Sequence, residues 1–376
     1  MMYTYQPLEE KNIHIYGRTV KKNPLPLFWT ASGIEFETDA SCVYLDLETD
    51  YSIYEQWIRV EVNGYSMIRM PLPKGRSKIQ VFQGMQKDSR KRVRVYKEVQ
   101  AMSADNQTHL LIHSVICDGA LYSLPEKKCR LEFIGDSITS GEGLAGNDEI
   151  HDWVSMIFST KNNYAVQTAS RLQADYRILS QSGWGAYSSW ENDPQKAMPL
   201  YYEQVCSVVN GETNKNLGAY EENDFSAWQP DVTIVNLGCN DASAFENLPW
   251  TDEKTGITYA QKKNPDGTYE KASIQRFQHA VYEFLKKIRK CNPDTYILWA
   301  YGMIGRPLQP FIEAALADFK NDYQDEKSAF LLLPDLQPDW IGANYHPGTP
   351  SHTAAADVLT EKITQILSKD RVLCKC

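Results

Sequence analysis

No two cysteines of this sequence stand in a CxxC pair, and no apolar run approaches the roughly 18 residues needed to cross a bilayer. Cys42, Cys117, Cys129, Cys206, Cys239, Cys291, Cys374 and Cys376 are scattered, with only the last two close together. That spacing argues against a zinc site and, in a chain this long, for a reducing compartment over a disulfide framework. The opening stretch lacks the charged, apolar and small-residue segments of a secretory leader. A cytoplasmic protein is therefore expected, or a secreted one if a leader once preceded these residues. Basic charge is not in excess either. Lys and Arg number 39 against 48 Asp and Glu, a net charge of -9. Nucleic acid and anionic membranes both demand a basic surface, so neither is expected as a partner. A neutral ligand such as a sugar is compatible, and the oligomeric state is left open.

What the sequence does contain is an ordinary globular balance, 42% hydrophobic and 23% charged, over 376 residues, enough for two domains. The first third alternates with period two: Val43, Leu45 and Leu47 interleave with Tyr44, Asp46 and Glu48, and Ile58, Val60 and Val62 repeat the pattern. Asn63-Gly64 between apolar runs predicts a hairpin. Val93 and Val95 alternate with Arg92 and Arg94, so the basic stretch from Lys87 to Lys97 reads as the solvated face of a strand. An all-β sandwich is expected over residues 1–126, with Leu124-Pro125-Glu126 marking the boundary.

From Leu131 the chain changes period. Leu131 to Ile134, Tyr176 to Leu179, Val232 to Leu237, Tyr296 to Ala300 and Phe330 to Leu333 are short apolar runs suited to buried parallel strands. Helical faces fall between and after them: Ile274, Phe277, Val281, Phe284 and Ile288 on one, Leu359, Ile363, Ile366 and Leu367 on the last. Residues 127–376 are thus expected to form a three-layer α/β domain on a five-stranded parallel sheet, its site beyond the carboxyl ends of the strands. The polar segment from Ser243 to Lys271 reads as a long surface excursion near that site.

Three loops stand where such strands end. Gly135-Asp136-Ser137-Ile138-Thr139 puts a hydroxyl nucleophile over the sheet edge; Gly238-Cys239-Asn240-Asp241 offers a side-chain amide to an oxyanion; Asn344-Tyr345-His346-Pro347 offers a general base. Each alone is equally a turn. Of the seven histidines, His14, His109 and His113 fall in the β-rich part, His151 and His279 in helical stretches, and His352 at the start of the last helix. His346 is the best-placed base.

Together these loops resemble the first, third and fifth blocks of the SGNH hydrolases, and Ser182-Gly183-Trp184-Gly185 matches the second. A β-rich opening with Tyr16-Gly17-Arg18-Thr19 leading into the Ser137 block resembles carbohydrate esterase family 2. The resemblance implies a jelly-roll sandwich joined to an SGNH domain that removes acetyl groups from plant polysaccharides such as mannan or xylan. It implies Ser137 as nucleophile, His346 as base, and an oxyanion hole of the Ser137 N–H, the Gly185 N–H (with Gly183 the alternative) and the Asn240 side chain. It implies no metal and no organic cofactor, and an acetylated oligosaccharide as the partner.

Two positions depart from the pattern. Ala343 stands where most SGNH enzymes carry an Asp three residues before the histidine; family 2 members often work as a Ser–His dyad with backbone carbonyls orienting the imidazole. Asp335 or Asp339 could otherwise supply an acid. Asn344-Tyr345 replaces the Asp-Trp common before this histidine. Tyr345 and Trp184 are candidate sugar-stacking faces, with Trp250 and Trp340 behind them. The rival readings are a short-chain lipase or thioesterase of the same superfamily, and a non-catalytic glycan-binding protein.

Overall fold

A computed structural model of the chain describes residues 1–373, with side chains described through Lys369; Cys374 and Cys376 lie outside the described residues. Cys42, Cys117, Cys206, Cys239 and Cys291 carry free thiols. Two antiparallel sheets occupy the first 122 residues. One orders Tyr3–Tyr5, His109–Cys117, Cys42–Asp50 and Gly75–Gln83; the other orders Leu121–Tyr122, Gly33–Thr38, Lys91–Lys97, Trp57–Val62 and Tyr65–Pro71. Their inward residues, Val43, Leu45, Leu47, Leu110 and Ile112 from one and Ile34, Phe36, Val60, Val93 and Val95 from the other, form a shared core. Asn63 (φ 53) and Gly64 (φ 84) make the hairpin turn between Trp57–Val62 and Tyr65–Pro71, the pair of positive dihedrals that a tight two-residue connection needs.

The basic stretch from Lys87 to Lys97 corrects the sequence reading in part, since Lys87 and Arg90 are exposed as expected but the strand from Lys91 is not bare. Its charged face is covered only in part by the second half of the chain, and Arg92 keeps a 39% exposed side chain paired with Glu35 at 2.7 Å. Arg94 donates to the Tyr176 hydroxyl and stacks over Tyr16 and Tyr96; Lys97, 2% exposed, lies at the end of the Val93–Val95 face and donates to Phe28 O of the sandwich at 2.9 Å. Period two separates the two faces of a strand but does not say what covers the second. Arg18 bridges the halves as well: buried, it pairs with Glu132 at 3.1 Å, and Glu132 also accepts from the Tyr202 hydroxyl at 2.6 Å.

In the second half, five strands run parallel in the order Asp175–Ser180, Arg130–Gly135, Val232–Asn236, Tyr296–Met303, Ser328–Asp335. The Tyr164–Arg171 and Thr349–Leu373 helices cover one face through Tyr164, Ala165, Leu359 and Ile363. The Lys271–Cys291 and Gln309–Tyr323 helices cover the other through Phe277, Val281, Phe284, Ile288, Ile312 and Phe319. Val20, Phe28, Trp29 and Ala101 from the first half join that second core. The excursion after Ser243 carries a small hairpin, Trp250–Thr251 against Thr258–Tyr259. It is pinned by Asn192, whose side chain accepts from Gln261 N–H and donates to Ala244 O. The register Gly135↔Ser180 and Gly135↔Asn236 brings the loops after three neighbouring strands to one edge of the sheet, where the site is built.

Candidate active site

Ser137 opens a one-turn helix, Ser137–Ser140, directly after the Arg130–Gly135 strand. Asp136 caps it, accepting from Ile138 N–H at 3.0 Å. Its buried carboxylate also accepts from the Cys239 thiol at 2.8 Å and, at 3.4 Å, from the Asn240 amide. Burial pushes the Asp136 pKa up to about 6, against the opposing pull of Cys239, Ile138 N–H and His346. The first block is thereby tied to the third.

His346 arrives from the other end of the chain. Its Nε2 lies 2.9 Å from Ser137 Oγ, and its Nδ1 lies 2.6 Å from the carbonyl oxygen of Asn344. A carbonyl accepts only, so Nδ1 carries the hydrogen and Nε2 presents its lone pair to the serine. That carbonyl is aimed by an unusual turn. Asn344 (φ 50) and Tyr345 (φ 58) are consecutive left-handed residues, held by Ala343 N–H to Gly143 O, Gly342 N–H to His346 O and Asn344 N–H to Ile150 O.

The imidazole is oriented by a backbone carbonyl, as the dyad reading expected, and neither carboxylate weighed as an alternative reaches it. Asp335 pairs with Arg306 at 3.1 Å and Asp339 is exposed. The carboxylate beside His346 is Glu142, 2% exposed, with Oε1 3.6 Å from Nδ1. It accepts from the Asn344 side chain at 2.8 Å and from Ser182 Oγ at 2.6 Å. The signal available in the sequence was a lone charge between two glycines, Gly141-Glu142-Gly143, five residues after the serine.

Asn240 donates its amide to Trp184 O at 3.0 Å, which holds it against the second loop. Asp241 fastens the same two loops: its buried carboxylate accepts from the N–H groups of Ala186, Tyr187 and Ser188 at 2.8, 2.7 and 3.2 Å. Burial raises the Asp241 pKa to about 6, and these hydrogen bonds hold it from rising further. Gly185 sits under this knot, where a Cβ would stand 2.4 Å from Asp241 Oδ2 and 2.4 Å from Ser188 O, so no larger residue fits. Asp241→Ala would leave three N–H groups without their acceptor. It is expected to lower stability by roughly 3 kcal/mol and to slow turnover with the loosened loop. An unchanged urea midpoint would remove this role.

The aromatic candidates separate. Tyr345 is 67% exposed, with one ring face stacked on His151 at 4.6 Å. Trp184 is not brought to the surface as a stacking face: it is 6% exposed and packs against Tyr201 at 4.9 Å. Trp190, which sequence reasoning passed over, is the open indole of that loop at 44% exposed, beside Gly183. Trp250 packs on Tyr259 in the excursion hairpin. Among the described residues no group of three or more His, Cys, Asp or Glu could hold a metal ion.

No family model matches the chain. Among solved structures it is similar to an acetyl xylan esterase (Est2A) from the rumen bacterium Butyrivibrio proteoclasticus, 40% identical over 98% of both chains with a TM-score of 0.96. It shares the fold of a family two carbohydrate esterase from Clostridium thermocellum solved in complex with cellohexaose, at 20% identity over 95% of this chain and 99% of that one, with a TM-score of 0.77. Among curated proteins it is similar to an acetylxylan esterase / glucomannan deacetylase of Cellvibrio japonicus, 24% identical over 95% of this chain and 90% of the relative. It is also similar to the cellulase/esterase CelE of Acetivibrio thermocellus, 22% identical over 89% of this chain. It spans 37% of the length of CelE.

Proposed function

The chain belongs to carbohydrate esterase family 2 and is a carboxylic ester hydrolase, and from that premise we propose that it deacetylates hemicellulose-derived oligosaccharides through a Ser137–His346 acyl-enzyme mechanism. The observation that carries the reading is the Ser137 Oγ to His346 Nε2 contact of 2.9 Å, with the imidazole tautomer set by Asn344 O. His346 takes the serine proton as Oγ attacks the acetyl carbonyl, and the C–O π pair moves onto oxygen. The backbone N–H of Ser137 (unpaired within the helix at its first residue), the Gly185 N–H and an Asn240 amide hydrogen stabilise that oxyanion. The 3.4 Å contact of Asn240 with Asp136 is the weaker of its two hydrogen bonds and the one it can give up. Collapse expels the sugar alkoxide, which takes the proton from His346; water deprotonated by His346 then cleaves the acetyl-serine and regenerates both residues.

Tyr345, next to His346 in the chain, and Trp190, beside Gly183, are the exposed rings we assign as apolar faces for pyranose rings. We read the N-terminal sandwich as a jelly roll and the chain as two domains meeting at residues 126 and 127. The names of the relatives support both xylan and glucomannan as parent polysaccharides. The test is acetate release from acetylated xylo- and manno-oligosaccharides alongside 4-nitrophenyl esters of rising chain length. Release from the sugars, with the acetate ester cleaved and the long-chain esters untouched, is expected. Preference for long acyl chains would make the protein a lipase-type hydrolase instead.

A further inference from the structure

We infer that Glu142 does for His346 what an acid in the preceding turn does elsewhere in the superfamily: it positions the base through Asn344 and supplies the countercharge for its protonated form. The inference rests on the Ser137–His346 reading above. Asn344 O orients the imidazole but carries no net charge, so a protonated His346 needs another source of stabilisation. Glu142 is nearest, at 3.6 Å from Nδ1. It is 2% exposed, and among the described residues no Lys or Arg pairs with it; His346 is its one cationic contact. A buried carboxylate without a partner cation is strongly disfavoured. Here the partner charge is generated on His346 each time Ser137 is deprotonated.

The second half of the role is geometric. Glu142 Oε1 accepts from the Asn344 side chain at 2.8 Å, and Oε2 accepts from Ser182 Oγ at 2.6 Å. The first bond restrains the left-handed Asn344-Tyr345 turn whose carbonyl faces Nδ1; the second ties that turn to the loop bearing Gly183 and Gly185. The carboxylate thus comes from the turn that follows the nucleophile, which explains how Ala343 can stand where an acid is usual. The other titratable groups near His346 are Asp136 from the cap of the Ser137 helix, His352 from the last helix, held neutral by burial, and His151 from the loop that stacks on Tyr345.

The test uses the full chain and 4-nitrophenyl acetate, with Ser137→Ala, Glu142→Gln and Glu142→Asp. Glu142→Gln keeps the shape and both polar contacts but loses the charge. It is expected to lower kcat about tenfold or more with KM little changed, because Glu142 does not touch substrate. The acid limb of its kcat/KM profile should move to lower pH by about one unit, because His346 loses an anion that favours its protonated form. Glu142→Asp, whose shorter arm withdraws the charge, should move the limb the same way by less, and it serves alone if Glu142→Gln does not fold. A wild-type rate and limb in Glu142→Gln, or a slower rate with the limb unmoved, overturns the inference while Ser137→Ala stays inert. Activity in Ser137→Ala would instead remove the reading on which it rests.

Discussion

Ser137→Ala is expected to release acetate at least about 10³-fold more slowly than the wild type while keeping its fold and its affinity for oligosaccharide. The side chain is 6% exposed and its Oγ makes one hydrogen bond, to His346 Nε2, so truncation removes one small group and leaves Asp136, Cys239 and Asn240 in place. The neighbouring hydroxyls are engaged elsewhere, Ser182 Oγ with Glu142 at 2.6 Å. Thr139 Oγ1 is engaged with the Tyr164 hydroxyl at 2.8 Å, and Ser140 Oγ faces Gln100 and Ser180. Residual activity near the wild-type level would mean that water attacks directly with His346 as base, a different mechanism on the same scaffold.

Gly143→Ala is expected to lower kcat by about 10²-fold, a loss typical of displacing a catalytic group by an ångström. Gly143 has φ 82, and a Cβ there would stand 2.5 Å from Ala343 O and 2.7 Å from His346 Cβ. The added methyl must push the base or its turn, and the 2.9 Å contact with Ser137 has no slack to absorb that. Backbone strain alone cannot account for the effect, and Gly64→Ala controls for it. Gly64 has φ 84, with nothing within 4 Å of its Cβ position, and lies in the sandwich hairpin. The two variants should share a similar loss of about 1 kcal/mol in stability from the left-handed backbone, while Gly64→Ala keeps full activity. Equal activity in both would mean that Gly143 does not set the position of His346.

Much of the fold and part of the site were legible in the sequence, for a common reason. Buried parallel strands must be short apolar runs, and the loops after them must gather at one edge, so Ser137, Asn240 and His346 could be placed before any distance was known. Helical faces such as Ile274, Phe277, Val281, Phe284 and Ile288 follow from a period that only a one-sided burial produces, and all five are buried. What escaped depends on contacts between segments distant in sequence. Glu142 looks like any surface charge until the turn at Asn344, 202 residues on, closes over it. The cover over Arg94 depends on the second half docking on the sandwich through Tyr176, which alternation within one strand does not encode. Trp184 and Trp190 are near neighbours in one loop, yet one packs inward on Tyr201 and the other stands at the surface. Adjacency to a motif carries no information about which way a side chain turns.

The central claim is that an acetyl group passes through Ser137. Mixing the protein with an acetylated xylo- or manno-oligosaccharide, quenching with acid within the first turnover and mapping the peptides by mass tests it most directly. The account predicts one acetyl group, on the peptide carrying Ser137, appearing before steady-state acetate release and absent from Ser137→Ala. Acetate released at the full rate with no acetylated peptide, or with the acetyl group on another residue, would contradict it.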